Sequence, residues 1–380
     1  MTDEVFGFET IAELAAAFAS RGLSPLDYTT RLLDRIETLD PALAAFVSLS
    51  RERALAEAEA AEAAISRGAA GPLAGVPYAA KDIFDVAGEA TMAGTRLLAG
   101  NIAEEDCTVV ARLREAGMVL LGKTHTVQFA ATIVGINHEQ GTPHNPWHRT
   151  PHVPGGSSSG SAVAVAAGLA PMALASDTGG SVRAPAALCG TVGLKTTVGR
   201  VSRAGVFPLC PSYDSMGPLT RFVEDAALAY QAMNGPDPGD GTTVPIERHH
   251  VLGDLKRGVK GLRLAFGEGV CFDKLDPQVG AAVRASGDVF RDLGADVTAM
   301  TIAEFDQAHA LPDRFAVMNA EAYAANRRFL EEQAEALDPV VLWMAKGKDN
   351  LLFGILVVFN VKGCLLGQMV LARFVHHQTH

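Results

Sequence analysis

Three absences bound what this chain of 380 residues can be. The first is basic charge. There are 32 Lys and Arg against 43 Asp and Glu, for a net charge of −11, and the cations form no run. Phosphate binding relies on clustered positive charge, so a direct nucleic-acid surface is not expected. The second is a long apolar segment. The longest late run, Leu351 to Val361, is too short to span a bilayer and is followed by Lys362, so no membrane association is expected. The N-terminus shows no charged region leading into an apolar one, so no secretory leader is read there. The third is ordered cysteine. Cys107, Cys189, Cys210, Cys271 and Cys364 show no CxxC pair and no metal-ligand spacing. An odd, scattered set reads as free thiols in a reducing cytoplasm. With 48% hydrophobic and 20% charged residues, the composition is that of a soluble globular enzyme.

Bulky side chains are also missing from residues 155–190, GGSSSGSAVAVAAGLAPMALASDTGGSVRAPAALCG. A stretch so rich in Gly, Ala and Ser implies that backbones approach each other, or a ligand, very closely. Ser161 to Gly168 reads as an Ala-rich helix, and Pro171 to Ala175 as a short buried strand ending in Ser176-Asp177-Thr178. Two turns flank this unit, Gly155-Gly156-Ser157 and Gly179-Gly180-Ser181. A linker would not alternate with core in this way. Glycines ahead of a serine let successive N–H groups converge on one point. Thr178, Gly179, Gly180 and Ser181 could therefore cradle an oxyanion while the Ser181 hydroxyl attacks. A serine needs a base, yet no histidine lies between 153 and 248. The candidate is Lys81 at the end of Gly75-Val76-Pro77-Tyr78-Ala79-Ala80, where apolar surroundings would lower the pKa of an ammonium.

GVPYAAKD, PGGSSSGSA and DTGGSVRAPA together resemble the amidase signature family, over about residues 10–233. The resemblance implies an α/β fold with a mixed central sheet flanked by helices. It also implies a Ser–cis-Ser–Lys triad: Lys81 as base, Ser157 as bridging serine after a cis peptide, and Ser181 as nucleophile, 24 positions beyond Ser157. The family's oxyanion hole falls on the amides of Thr178, Gly179, Gly180 and Ser181. Arg183 stands where relatives acting on carboxylated substrates hold that carboxylate, and it could equally pair with Asp177. Gln128 stands where many relatives carry an acid. The family needs no cofactor.

The remaining chain divides by texture. Residues 1–70 read as a helical layer, with helices over 9–21, 25–39 and 51–67 and caps at Thr10 and Ser24. Residues 71–235 hold the signature core. Val76–Ala80 and Met118–Leu121 read as strands there, with a helix at 107–116 between them. The turn cluster from Asn234 to Gly241 opens a variable region, 236–341. Leu262–Phe266 and Ala295–Met300 read as its strands, with helices at 276–293 and 303–335. Residues 342–380 depart from the family's text, and an incomplete sheet would expose edges.

Three patterns are decoys. Gly117 to Thr124 fits GxxxxGK[ST], but MVLL reads as a buried strand and not as a phosphate-binding loop. Gly156–Gly160 fits GxSxG around Ser158, but Trp147 to Pro154 contains two prolines and no strand. His138, His144, His148 and His152 suggest a metal, but Pro143, Pro146 and Pro151 forbid the helix their spacing would need, so no metal site is expected.

Three functions fit this reading: an amidase releasing acid and amine from a small-molecule amide, a glutamine amidotransferase component feeding ammonia to a partner, and a non-catalytic remnant. A homodimer is the default assembly.

Overall fold

The computed structural model describes residues 6–243, 247–311, 315–339 and 341–342. Two compact units divide it, one built on the chain up to Leu252 together with the stretch from Glu321, the other on Gly253–Ala320.

The first unit opens with helices α1 (Ile11–Ala19) and α2 (Pro25–Leu43). Thr10 caps α1 by a full capping box with Glu13. Ser24 accepts the Asp27 N–H at the start of α2, where Pro25 occupies the first turn. Their apolar stripes, including Ile11, Leu14, Phe18, Leu32 and Ile36, are fully or almost fully buried. There follow β1 (Phe46–Leu49), α3 (Arg51–Ser66), β2 (Pro77–Lys81), α4 (Thr108–Glu115), β3 (Val119–Thr124), α5 (Ser159–Ala166), β4 (Met172–Asp177), α6 (Arg183–Cys189), β5 (Val192–Gly193), β6 (Ser215–Thr220) and α7 (Val223–Met233).

Six strands form one sheet in the order β1-β3-β2-β4-β6-β5. Pairing is parallel for β3–β2 and β2–β4, and antiparallel at β1–β3, β4–β6 and β5–β6. The sheet is mixed, as expected. Strands β2, β3, β4 and β6 are buried at every residue, because helices cover both faces. Strand β3 is the GxxxxGK[ST] run. A Cβ at its Gly122 would meet the Ser48 carbonyl oxygen at 2.2 Å, so this glycine admits the crossing of β1 and is no phosphate loop.

Several expected boundaries shift, among them α2, which runs on to Leu43. Helix α5 starts at Ser159, ahead of Ser161, and β4 extends through the buried polar pair Ser176-Asp177. Strands β1 and β6 were not legible in the sequence.

The second unit contains β7 (Arg263–Glu268), α8 (Pro277–Asp292), β8 (Asp296–Thr301) and α9 (Ala303–Ala310). Strands β7 and β8 pair in parallel through α8, one βαβ unit. The helical expectation over 303–335 becomes two helices, α9 and α10 (Ala316–Glu332), since Leu311 is extended. Apart from Leu342, the 342–380 tail lies outside the described residues. Among the described residues, no helix is long and apolar enough to cross a membrane.

Candidate active site

Strands β2 and β4 run parallel and β6 runs against them. The ends of the first two and the start of the third therefore meet at one rim of the sheet. Lys81 closes β2 there, with no exposed surface. Its Nζ donates to Ser157 Oγ at 2.7 Å and to Ser176 Oγ at 2.9 Å. Burial pulls the ammonium down to about 7, against the opposing fields of Asp214 and Asp177. A fraction of Lys81 is thus neutral at ordinary pH.

Ser157 follows Gly155-Gly156, and the Gly156–Ser157 peptide is cis, as the resemblance implied. Backbone contacts hold this turn. Gly156 N–H donates to Ile133 O at 2.9 Å, and Thr126 Oγ1 donates to Ser157 O at 3.0 Å. Ser158 N–H donates to Ser181 O at 3.3 Å, which ties the second glycine-serine turn to the first. The Ser158 side chain is also used: its Oγ donates to Ser176 O at 3.3 Å and accepts Ser176 N–H at 3.4 Å. Helix α5 then lies hard against β3. A Cβ on Gly160 would meet Ala45 O at 2.2 Å and His125 N at 2.4 Å.

Asp177, fully buried, shapes the loop that carries Ser181. Its carboxylate accepts the N–H groups of Gly180 (2.8 Å) and Val182 (3.2 Å), and a bidentate grip from Arg183 Nε and Nη2, both 2.9 Å. Burial alone would raise its pKa. The guanidinium and the amides outweigh burial and hold it below the usual carboxylate range. Two expectations are affected. Arg183 has two of its nitrogens on Asp177, the structural of its two readings, with the side chain 55% exposed. Gly180 directs its N–H to the Asp177 carboxylate, because a buried anion demands donors. Thr178, next in the loop, donates its hydroxyl to Asp214 Oδ1 at 2.5 Å. Asp214, buried just before β6, also accepts the amides of Leu209 and Cys210, and burial pushes its carboxyl up.

The structure thus brings Lys81, Ser157 and the Ser181 turn to one rim. Sequence reasoning missed Ser176, Ser158 and Asp214. The available signal was that the polar end of β4 and the acid before β6 had to share a sheet rim with Lys81. Gln128 is a brace: its Oε1 accepts Asp338 N–H at 2.7 Å, and its Nε2 donates to Ala336 O and Glu139. The histidines disperse. His138 pairs with Asp338, while His148 and His152 stack at 3.8 Å. No group of three or more metal-ligating side chains occurs among the described residues.

The family described as Amidase matches residues 27–363. A glutamyl-tRNA(Gln) amidotransferase subunit of Pelobacter propionicus is 41% identical over 335 residues, 86% of this chain and 68% of that protein. The chain spans about two thirds of the length of such curated relatives. Among solved structures, the native peptide amidase of Stenotrophomonas maltophilia superposes with TM-score 0.76 at 34% identity, covering 84% of this chain and 67% of that one. A chain from a vestigial protein complex, described as revealing the evolutionary origins of an s-triazine catabolic enzyme, gives TM-score 0.81 at 37% identity, covering 92% and 74%. The family match, the relatives and the architecture agree: this chain belongs to the amidase signature family.

Proposed function

We propose that the chain hydrolyses a small-molecule amide through an acyl-enzyme on Ser181. The observation that carries this reading is the 2.7 Å contact between Ser157 and a fully buried Lys81 drawn down to about 7. Neutral Lys81 takes the Ser157 proton as Ser157 takes that of Ser181, and Ser181 Oγ adds to the amide carbon. With the Gly180 amide directed to Asp177, the oxyanion falls to the amides of Thr178, Gly179 and Ser181. The relay then reverses, the C–N bond breaks, and the proton leaves with the nitrogen. Water frees the acid by the same path. Asp177 and Arg183 act here as anchors of the loop.

Intact-mass analysis after fluorophosphonate treatment tests this. One adduct on the wild type is expected, lost in Ser181→Ala and at least about a hundredfold slower to form in Lys81→Ala. A folded wild type that takes no adduct refutes the reading. The relatives' name supports a second reading, in which the same residues release ammonia from glutamine for a partner. Amide turnover by the purified chain alone favours hydrolysis.

A further inference from the structure

We propose that Asp214 is a positioning residue for the reaction, fixing through Thr178 the turn that carries Ser181 and placing a negative charge beside Lys81. The inference rests on Ser181 being the nucleophile. The β4–β6 ladder ends with Asp177 against Ser215, whose hydroxyl donates to Asp177 O at 2.9 Å. One step beyond, Asp214 stands against Thr178 and takes its hydroxyl at 2.5 Å. Asp177 and Thr178 lead into Gly179-Gly180-Ser181, so Asp214 and Ser215 grip the whole approach to the nucleophile. Asp177 grips the far side of the turn through the amides of Gly180 and Val182. A short turn held at both ends keeps its remaining amides at a fixed bearing, which is what stabilising a developing oxyanion requires.

The place of the charge follows from the same register. Ser176 stands opposite Met216, so Asp214 is its diagonal neighbour on that face, a span of about 7–8 Å. The Ser176 hydroxyl accepts from Lys81 Nζ at 2.9 Å, which sets the ammonium on the same face. Two carboxylates oppose the pull of burial on Lys81, Asp214 more strongly than Asp177. They differ in what neutralises them. Asp177 is spent on Arg183, through two bonds of 2.9 Å. Among the described residues, the donors that reach Asp214 are neutral: the Thr178 hydroxyl and the amides of Leu209 and Cys210. Arg203 acts on Asp214 through its field alone, being engaged on Asp240 and Pro211 O. Glu321 meets the same loop through Cys210 Sγ and Ser212. Hydrogen bonds from neutral donors favour the ionised carboxylate without cancelling its field.

The test follows the rate of fluorophosphonate adduct formation on Ser181 of the full chain from pH 5 to 9, by intact mass. It compares the wild type with Asp214→Asn, Thr178→Val and Thr178→Ser, and urea midpoints show which variants fold. Asp214→Asn removes the charge at nearly constant size, so the Lys81 ammonium loses support. The acid limb of its profile is expected to move at least about half a pH unit lower, and its plateau rate to fall about tenfold or more. Thr178→Val keeps the charge and cuts the tether, so its plateau is expected to fall about tenfold with the acid limb in place. Thr178→Ser keeps the hydroxyl and is expected to stay within about threefold of wild type. A merely structural role would lower rates without moving the limb. An unmoved acid limb in folded Asp214→Asn, or wild-type rates in Thr178→Val, overturns the proposal. Should Asp214→Asn fail to fold, equal rates in Thr178→Val and Thr178→Ser refute it. No adduct on folded wild type sinks the nucleophile and this inference with it, while an adduct with an unmoved limb sinks the inference alone.

Discussion

Lys81 is where one residue's surroundings set the chemistry. Burial favours the uncharged form, and that form is the one able to accept a proton. Below about 7 the ammonium dominates and the proposed relay stalls; above it the neutral amine is in place. The kcat/KM for an amide is therefore expected to rise about tenfold per pH unit on the acid side and to level off above pH 7, in a profile taken from pH 5 to 9. A flat profile on intact protein would remove Lys81 as the base. Lys81, Ser157 and Ser181 were readable because three short motifs carry them at a fixed spacing. Ser176 was not, because the hydroxyl's partner lies 95 residues away and nothing local marks it. Asp214 was hidden for the same reason: its link to Thr178 crosses 36 residues and exists only once β4 and β6 pair.

Between neighbouring elements, the clearest energetic liability joins the end of β2 to β3. Asp82 and Lys123 form an ion pair at 3.0 Å with side chains 0% and 1% exposed. Lys123 also reaches Ala90 O, and Asp82 Oδ2 has no hydrogen-bond partner among the described residues. Removing one partner strands the other charge. Lys123→Met is expected to cost about 3–5 kcal/mol, and the Asp82→Leu/Lys123→Met double variant to regain most of it, read as urea midpoints. Equal stability of the single variant and the wild type would deny the pair any part in holding the strands. Helices α1 and α2 were legible because each element shows its own cap and stripe. Strand β6 was not, since SMGPLT places Gly217 and Pro218 where local propensity speaks against a strand. Its pairing along all six residues with β4 overrides that preference.

For the whole molecule, the division into two units predicts where a protease enters. Residues 247–262 carry neither helix nor strand, and Arg257 is 74% exposed on its side chain. Limited trypsin is expected to cut first at Lys256 or Arg257, identified by mass, while Ser181 still takes the fluorophosphonate. First cuts inside 71–235 would contradict the compactness of the first unit. The reversal of direction at β6 has a further consequence, for synthesis of the chain. Parallel β2 and β4 can pair as soon as both have left the ribosome, but the start of β6 brings Asp214 to the rim and closes the outer edge of β4. A nascent chain halted before Ser215 would hold Lys81, Ser157 and Ser181 on a sheet whose next strand has not been made. The rim is thus completed by a late-arriving segment, and until that segment emerges the ribosome-bound intermediate presents β4 as an open template for any other extended chain.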